Sequence, residues 1–304
     1  MKQEQRNRLA IALRARKSRT GQRDNPYLAI LKSQGSLPPF VCVHPSSGFI
    51  GYYHGLSERI PADMPMWAMR PPGMKGDDFP ADYTGFARLY VDALMAVGAT
   101  GPFVLGGWSN GGIIAIEMGR LLHGQGHEVA FVALFDTITR HALAALAASE
   151  ARLEYATRTV QYMARLRGVD IAPERARSAY ESRWRDAGGA AAAPEVAFRV
   201  LFETLHELGA IPVELPPGYR VYKHLATLVR SYEPQPVEFP LALFRADESR
   251  SFRLAGECYG WERYAHLELS LHSVPGHHYT MLSPPFVDVL GTEFSRLVDQ
   301  RLRR

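Results

Sequence analysis

The sequence predicts an α/β fold, in which a mainly parallel sheet carries helices on both faces and a helical insertion interrupts the later part. Two observations support this class. From Pro39 to Asp136, short apolar stretches alternate with stretches of helical periodicity, as they do where helices connect parallel strands. Residues 140–230 then contain no strand-like stretch, and the strand pattern resumes only at residue 239. With 304 residues, of which 46% are hydrophobic, the chain can bury the core of one elaborated domain.

The predicted strands are short apolar runs, most of them followed by a loop rich in Pro, Gly or polar residues. They are PFVCVH (39–44), MPMWAM (64–69), PFVLGG (102–107), EVAFVALFD (128–136), FPLALFRAD (239–247) and LELSLHSVPG (267–276).

The predicted helices have apolar residues three and four positions apart, and several end at a helix breaker such as Pro61 or Gly98. They cover 49–60, 83–97 and 110–126, then 142–167 and 195–209 inside the insertion, and a last segment from about Pro285. An all-helical insertion of this kind most often forms a lid over the carboxyl ends of parallel strands, where such sheets bind ligands.

Positive charge is concentrated at the N-terminus. The net charge of the chain is +4, and eight Lys and Arg residues fall within positions 1–24. We therefore assign residues 1–38 to a basic arm or linker and 39–304 to the α/β domain, with its lid insertion at about 140–230. The arm fits a solvated segment, a docking segment for an acidic partner or, less well, a mitochondrial presequence. Nucleic-acid binding is not expected, because no aromatic residue interleaves these basic residues before Tyr27.

The composition argues against several other classes of protein. No apolar run approaches the length of a membrane span, and no apolar signal core follows the basic N-terminus. The two cysteines, Cys42 and Cys258, make no disulfide framework, and no Cys/His cluster has the spacing of a zinc site. These features predict a cytoplasmic protein without a bound metal.

Positions 107–111, GWSNG, match the G-x-S-x-G pattern of a nucleophile elbow. A predicted strand precedes this segment and a predicted helix follows it, which is the context that the pattern requires. Small residues at both ends let the strand turn sharply into the helix and lift the serine hydroxyl clear of the sheet. Ser109 is therefore the candidate nucleophile, while the same glycines would also suit a purely structural turn.

A serine nucleophile needs a histidine base, and two late histidines are candidates. His277 and His278 lie in VPGHHYTML, after the last predicted strand, and the order Ser–Asp–His of this type of site requires a late histidine. A histidine pair would also suit a metal site, but no third ligand stands at a recognisable spacing.

Two aspartates meet the requirement for the acid that orients the histidine. Asp136 ends the predicted strand after the elbow helix, and Asp247 ends the predicted strand after the insertion. Both would lie at the carboxyl edge of a parallel sheet and both satisfy the chain order, so the residues themselves leave the choice open.

The oxyanion hole requires two backbone N–H groups. One belongs to Asn110, the residue after the nucleophile, and the other to the loop HPSSG (44–48), with Ser46 as the expected donor. Phe49, Tyr52 and Tyr53 follow this loop, near the expected mouth of the active site. There they would favour an apolar or aromatic acyl group, unless they belong to the core.

Four segments in this order resemble the thioesterase domains that end nonribosomal peptide and polyketide synthases: FVCVHPSSGFIGYYHGLSERI, GGWSNGGIIAIEMGRLL, ALFDTIT and GWERYAHLELSLHSVPGHHYTML. The resemblance runs from about Pro39 to the C-terminus and is weakest in the insertion. It implies an α/β-hydrolase fold with a helical lid and Ser109 as the nucleophile. It also implies Asp136 rather than Asp247 as the acid, and it selects His278 because the family's histidine stands in a G-x-H pattern.

This chain departs from the family pattern at His277, where an acidic residue is common. The elbow GWSNGG is closer to the synthase-terminal thioesterases than to the GHSMG of many stand-alone editing thioesterases. No carrier-protein attachment motif precedes Pro39, so we expect either a discrete enzyme or an excised domain with its linker.

The resemblance implies release of an acyl, peptidyl or polyketide chain from the pantetheine thioester of a carrier protein, through an acyl-enzyme and by hydrolysis or cyclisation. A carrier protein or synthase module is then the partner. The pantetheine belongs to that partner, so this chain needs no cofactor of its own. The alternatives are a carboxylesterase or lipase that acts on oxygen esters with the same fold, and a binding module without catalysis, which the filled catalytic positions disfavour.

Overall fold

The computed structural model describes residues 25–73, 78–147, 151–165, 168–189, 194–210 and 218–303. The basic residues of positions 1–24 lie outside these ranges, so the interpretation of the arm stays a prediction. No helix within the described ranges has the length and apolarity needed to cross a membrane.

A seven-stranded sheet forms the centre of the fold, in the order β1-β3-β2-β4-β5-β6-β7. The strands are β1 (Leu28–Lys32), β2 (Phe40–Val43), β3 (Met66–Met69), β4 (Phe103–Trp108), β5 (Val129–Phe135), β6 (Leu241–Ala246) and β7 (Leu269–Val274). Neighbouring strands are parallel except at β1, which pairs antiparallel with β3. The predicted mainly parallel sheet is confirmed.

The helices lie on both faces of the sheet and in the insertion. Outside the insertion they are α1 (His54–Ser57), α2 (Tyr83–Ala96), α3 (Asn110–Gly124) and α9 (Phe286–Leu302). Inside it they are α4 (Arg140–Ala147), α5 (Ala151–Arg165), α6 (Pro173–Asp186), α7 (Pro194–Glu207) and α8 (Tyr219–Ser231). Short 3-10 turns cover Ile50–Tyr53, Arg250–Ala255 and Trp261–Arg263.

The alternation of side chains along β2 explains the two apolar layers of the core. Val41 and Val43 belong to the layer that includes α2 and α3, whereas Phe40 and Cys42 belong to the layer that includes α1 and α9. All four side chains are at most 1% exposed. A parallel strand that is covered on both faces has this uninterrupted apolar character.

The insertion forms a lid that has an apolar core of its own. Side chains of α5, α6 and α7 form a cluster separate from the two layers of the sheet, and it includes Val160, Tyr180, Val200, Phe202 and Leu205. In contrast, α4 and α8 join the main core through residues such as Leu146 and Leu225. The lid is therefore anchored to the sheet at both ends and packs on itself in between.

The edge strand β1 was not predicted. It lies within residues 1–38, for which the sequence predicts an arm or linker, yet Leu28 pairs with Met69 of β3. Only Leu28 of this strand is fully buried, and Ile30 is 37% exposed. The first four residues of β1, LAIL (28–31), are all apolar, so this run was a usable signal that the assignment of residues 1–38 to an arm or linker overlooked.

Candidate active site

Ser109 occupies a strained turn between β4 and α3. Its φ of 57° and ψ of −128° lie outside the regions that L-residues favour. Its N–H donates to the carbonyl of Phe135 at 3.0 Å, and its own carbonyl accepts from the Thr137 hydroxyl at 2.9 Å. The strain persists because these bonds to the end of β5 fix the peptide groups on both sides of the serine.

The glycines of the elbow are required by close packing. A Cβ on Gly107 would lie 2.3 Å from the carbonyl carbon of Gly111, and a Cβ on Gly111 would lie 2.4 Å from the carbonyl oxygen of Val43. Real Cβ atoms do not approach other atoms this closely. The turn that exposes Ser109 therefore exists only with glycine at both positions.

His278 and Asp136, which lie far apart in the sequence, meet at the carboxyl edge of the sheet. Nδ1 of His278 lies 3.0 Å from Oδ2 of Asp136, and the two side chains are 7% and 0% exposed. Because a carboxylate accepts, Nδ1 carries the proton and Nε2 keeps its lone pair. This arrangement gives a histidine that can accept a proton from an alcohol.

The Asp136 carboxylate accepts four hydrogen bonds. Oδ1 accepts from the Ala246 N–H and the Tyr259 hydroxyl, and Oδ2 accepts from the Ser249 hydroxyl in addition to His278, all at 2.9 or 3.0 Å. A buried carboxylate needs such donors because it has lost its contacts with water. Burial, and then the charge of Asp136, raise the pKa of Tyr259, so its hydroxyl remains a donor.

The alternative acid and the neighbouring histidine have other contacts. The exposed carboxylate of Asp247 lies 3.8 Å from Nη2 of Arg253. Nδ1 of His277 accepts a 3.2 Å hydrogen bond from the backbone N–H of Tyr279, and burial lowers the pKa of this histidine. Of the residues proposed for these two roles, the structure thus joins His278 with Asp136.

The imidazole of His278 lies against the residue that precedes Ser109. The ring centroids of His278 and Trp108 are 5.1 Å apart. Within the described ranges, no hydrogen bond joins Ser109 Oγ to the His278 ring. Catalytic hydrogen bonds are often long in a free enzyme and shorten when the substrate binds.

Ser46 and Asn110, the two predicted oxyanion-hole residues, are in direct contact. Nδ2 of Asn110 donates to Ser46 Oγ at 2.6 Å. Ser46 is 8% exposed and follows the end of β2, and Asn110 is the first residue of α3. The loop after β2 and the start of the elbow helix therefore meet beside the nucleophile.

A buried histidine supports the loop that contains Ser46. Nδ1–H of His44 donates to the Pro45 carbonyl at 2.9 Å, which leaves Nε2 to accept from the Tyr90 hydroxyl at 2.7 Å. Burial lowers the pKa of His44 to about 4, so the ring is neutral at physiological pH. His44 therefore links the loop to α2.

The three aromatic residues near the mouth differ in burial. Phe49 is 59% exposed, and the half-buried ring of Tyr52 lies 5.0 Å from the ring of Trp108. Tyr53 is fully buried: its hydroxyl donates to the Val43 carbonyl and accepts from the Trp108 N–H. The expectation that Tyr53 lines the acyl pocket was therefore wrong, because this side chain ties β2 to β4 in the core.

The lid contacts the histidine through α5. The ring of Tyr155 lies 6.2 Å from that of His278, and its hydroxyl is 2.7 Å from the Tyr279 hydroxyl. Beside this contact lies a small pocket, lined by residues that include Tyr155, Arg158, Glu248, Ser249, His277 and His278. The lid thus forms one wall of the space around the base.

Sequence reasoning missed Ser249 and Tyr259, which both donate to Asp136. Ser249 stands two residues after Asp247, in the loop that follows β6, so its place at the active edge of the sheet was a usable signal. Tyr259 has no local pattern that points to the site. In the described part of the chain, no group of three His, Cys, Asp or Glu residues could hold a metal ion.

A family model described as "Thioesterase domain" matches residues 38–293. The chain belongs to the thioesterase domain family. This thioesterase domain is 36% identical to the malpinin synthetase of Mortierella alpina over 108 residues, which are 35% of this chain and 1% of the synthetase. Over 274 residues, it is 23% identical to a probable non-canonical nonribosomal peptide synthetase, CymA, of Salinispora arenicola (strain CNS-205).

That second similarity covers 90% of this chain and 3% of the synthetase, so the chain spans a small fraction of these curated relatives. Among solved structures, the NocB thioesterase domain in covalent complex with a fluorophosphonate nocardicin G analogue is 21% identical and has a TM-score of 0.58. The match covers 90% of this chain and 99% of that one. This thioesterase domain therefore has the α/β-hydrolase fold of such domains.

Proposed function

We propose that this thioesterase domain releases an acyl, peptidyl or polyketide chain from the pantetheine thioester of a carrier protein. Ser109 is the nucleophile, His278 the base and Asp136 the residue that orients the base. The observation that carries this proposal is the buried 3.0 Å hydrogen bond from His278 Nδ1 to Asp136 Oδ2, at the same sheet edge as the strained serine. The synthetase names of its relatives support the substrate class.

The first half of the reaction forms the acyl-enzyme. Ser109 Oγ bonds to the thioester carbonyl carbon while Nε2 of His278 takes the hydroxyl proton, and the carbonyl electron pair moves onto oxygen. The backbone N–H groups of Ser46 and Asn110 stabilise that oxyanion, and one such donor is worth about 2.7–4 kcal/mol. When the electron pair returns, the C–S bond breaks and the sulfur receives the proton from His278. A thiol with a pKa of about 8.5 leaves with little assistance.

The second half releases the chain from Ser109. Water yields a free acid, and a hydroxyl or amine of the acyl chain yields a lactone or lactam. In each case His278 takes the proton of the attacking group and returns it to Ser109 Oγ as the ester bond breaks. The lid selects between these outcomes by admitting water or by folding the chain. Phe49 and Tyr52, with their exposed and half-buried rings, favour an apolar or aromatic acyl group.

The partner in this proposal is a carrier protein or the synthase module that contains it. The pantetheine arm belongs to the carrier, so no cofactor is required from this chain. We place the protein in the cytoplasm, because Cys42 and Cys258 are both free thiols, as is usual in a reducing compartment.

Serine-directed labelling combined with substrate comparison tests the proposal. A fluorophosphonate should label Ser109, and Ser109→Ala should abolish both labelling and release of a carrier-bound acyl chain. Ser295→Ala, on the outer helix α9, is the matched control and should change neither. Mass spectrometry of the released product identifies acid, lactone or lactam.

The same protein, assayed for labelling and turnover, distinguishes a thioesterase from a carboxylesterase and from a binding module. Acyl-N-acetylcysteamine thioesters should turn over faster than p-nitrophenyl esters of the same acyl group. A strong preference for the oxygen esters would instead indicate a carboxylesterase. Absence of both labelling and turnover would indicate a binding module.

A further inference from the structure

The side chain of Asn110 joins three parts of the site. Its Nδ2 donates to Ser46 Oγ at 2.6 Å, and its Oδ1 accepts from the Tyr83 hydroxyl, also at 2.6 Å. Ser46 lies in the loop after β2, and Tyr83 is the first residue of α2. We propose that the Asn110 carboxamide is a positioning residue, which holds the backbone N–H groups of Ser46 and Asn110 at the separation that the oxyanion requires. This inference rests on the proposed function, since it takes these two N–H groups as the oxyanion hole.

The loop that contains Ser46 has few other hydrogen bonds to its surroundings. Its turn is closed by a hydrogen bond within the loop, from Gly48 N–H to the Pro45 carbonyl at 2.9 Å. At its start, the His44 N–H donates to Met69 of β3, on the side away from β4. Within the described ranges, the bond from Asn110 is the hydrogen bond that connects this loop with α3. Gly111 of α3 also packs against the Val43 and His44 carbonyls, which holds the start of the loop. The bond from Asn110 extends this contact to Ser46, so the position of the Ser46 N–H relative to that of Asn110 depends on this side chain.

Tyr83 fixes the orientation of the carboxamide. Burial raises the pKa of Tyr83, so the phenol keeps its proton and donates to Oδ1 of Asn110. With Oδ1 facing Tyr83, the Nδ2 group faces Ser46. The same phenol packs against Tyr232, with ring centroids 4.8 Å apart, and lies 3.4 Å from the Leu225 carbonyl of α8. The lid helix α8 therefore contacts the residue that orients the Asn110 carboxamide.

Precise separation matters because catalytic geometry tolerates little error. A displacement of about 1 Å can reduce the rate by about 100-fold, and loss of one oxyanion donor reduces kcat by about 100-fold to 1000-fold. The backbone N–H groups survive in Asn110→Ala and in Ser46→Ala, so any rate change in these variants reports on positioning and not on loss of a donor.

The test uses Asn110→Ala, Ser46→Ala, their combination and Tyr83→Phe. The readouts are the second-order rate of fluorophosphonate labelling at Ser109, and kcat and KM for an acyl-N-acetylcysteamine thioester. We expect Asn110→Ala to slow labelling and kcat by about 10-fold to 100-fold while KM changes by less than about twofold. Ser46→Ala should cause a similar loss, and the double variant should lose little more, since both remove one hydrogen bond. Tyr83→Phe should cause a smaller loss in the same direction.

Asn25→Ala is the matched control. Its carboxamide also makes two hydrogen bonds, with the Ala93 carbonyl and the Tyr27 N–H, but it lies before β1. This variant should label and turn over like the unaltered protein.

The outcomes separate this proposal from the proposed function. Asn110→Ala and Ser46→Ala variants that label at the unaltered rate would overturn the positioning role, whatever their melting temperatures. Labelling at Ser109 without thioester turnover in the unaltered protein would overturn the proposed function, and the labelling rates would still decide the positioning role. Absence of labelling in the unaltered protein would overturn both. Ser46→Ala removes the same bond from the other side, so the test stands even where Asn110→Ala folds poorly.

Discussion

The backbone N–H of His278 donates a 2.9 Å hydrogen bond to the hydroxyl oxygen of Ser249. The same hydroxyl donates to Oδ2 of Asp136 at 2.9 Å. One small side chain in the loop after β6 thus contacts both the carboxylate and the main chain of the histidine that the carboxylate orients. We therefore expect Ser249 to act as a positioning residue for Asp136 and His278.

Ser249→Ala should lower kcat by about tenfold or more, because the His278 loop loses an anchor and Asp136 loses one of its four donors. The free energy of unfolding should fall by about 1–3 kcal/mol, the cost of leaving a buried partner unsatisfied. Thioester turnover and urea denaturation measure the two effects. Ser295→Ala, whose hydroxyl bonds to the Gly291 carbonyl within α9, is the control. A Ser249→Ala variant with unaltered kcat would show that this hydroxyl does not orient His278.

Asparagine substitutions should distinguish the two candidate acids. Asp136→Asn should reduce kcat by about 10⁴-fold, because an amide that donates to Nδ1 stabilises the wrong histidine tautomer. Asp247→Asn should leave kcat nearly unaltered, since the Asp247 carboxylate is exposed and lies near Arg253. Steady-state kinetics on one thioester decides the matter. A larger loss of kcat in Asp247→Asn than in Asp136→Asn would instead identify Asp247, which follows β6, as the acid.

Alanine substitutions of glycine should affect stability differently at the elbow and at an open position on the helix that follows it. Gly107→Ala should destabilise the fold by about 3 kcal/mol or more, because its Cβ would lie 2.3 Å from Gly111. A Cβ on Gly124, at the end of α3, would have no atom within 4 Å, so Gly124→Ala should be neutral or stabilise by about 0.5–1 kcal/mol. Chemical denaturation measures both. Equal stabilities would contradict the packing argument.

The buried His44 predicts a specific loss of stability in acid. Its pKa falls from 6.5 in the reference state to about 4 in the fold, so between these values the unfolded chain binds a proton that the folded chain does not. The contribution of His44 to stability is therefore present above pH 6.5 and falls by about 3 kcal/mol as the pH decreases to 4. Urea denaturation of the unaltered protein and of His44→Asn across this range measures the difference. Parallel pH profiles of the two proteins would rule out this linkage.

Local patterns predicted most of the sheet and the elbow, because an apolar run or a glycine pattern can be recognised within a few consecutive residues. The strand β1 escaped prediction although it begins with the apolar run LAIL (28–31), because this run closely follows the basic segment that predicts an arm or linker. Tyr259 escaped because its bond to Asp136 spans 123 positions, and no short-range pattern encodes such a contact.

Two further points required the three-dimensional structure. Asp136 and Asp247 both follow strands at the active edge, and only their surroundings in space show that one is buried among donors and the other faces solvent. Tyr53 and Tyr52 are adjacent, and the sequence does not reveal which ring turns toward the core. Periodicity is uninformative in this segment, because the helix predicted over 49–60 consists of a 3-10 turn at Ile50–Tyr53 followed by the short helix α1.

The antiparallel strand β1 bears on where the domain can be shortened. Similarity to the family begins at residue 38, yet β1 at Leu28–Lys32 covers the backbone of β3. A fragment that starts at Pro39 would leave β3 as an exposed edge strand. Its Met66–Met69 segment is wholly apolar, so its unpaired backbone could pair with a strand of a second molecule. With β1 in place, the backbone of β3 is already paired, and the edge of the sheet is a short strand whose residues after Leu28 are only partly buried. Expression of this domain for crystallisation should therefore start upstream of Asn25.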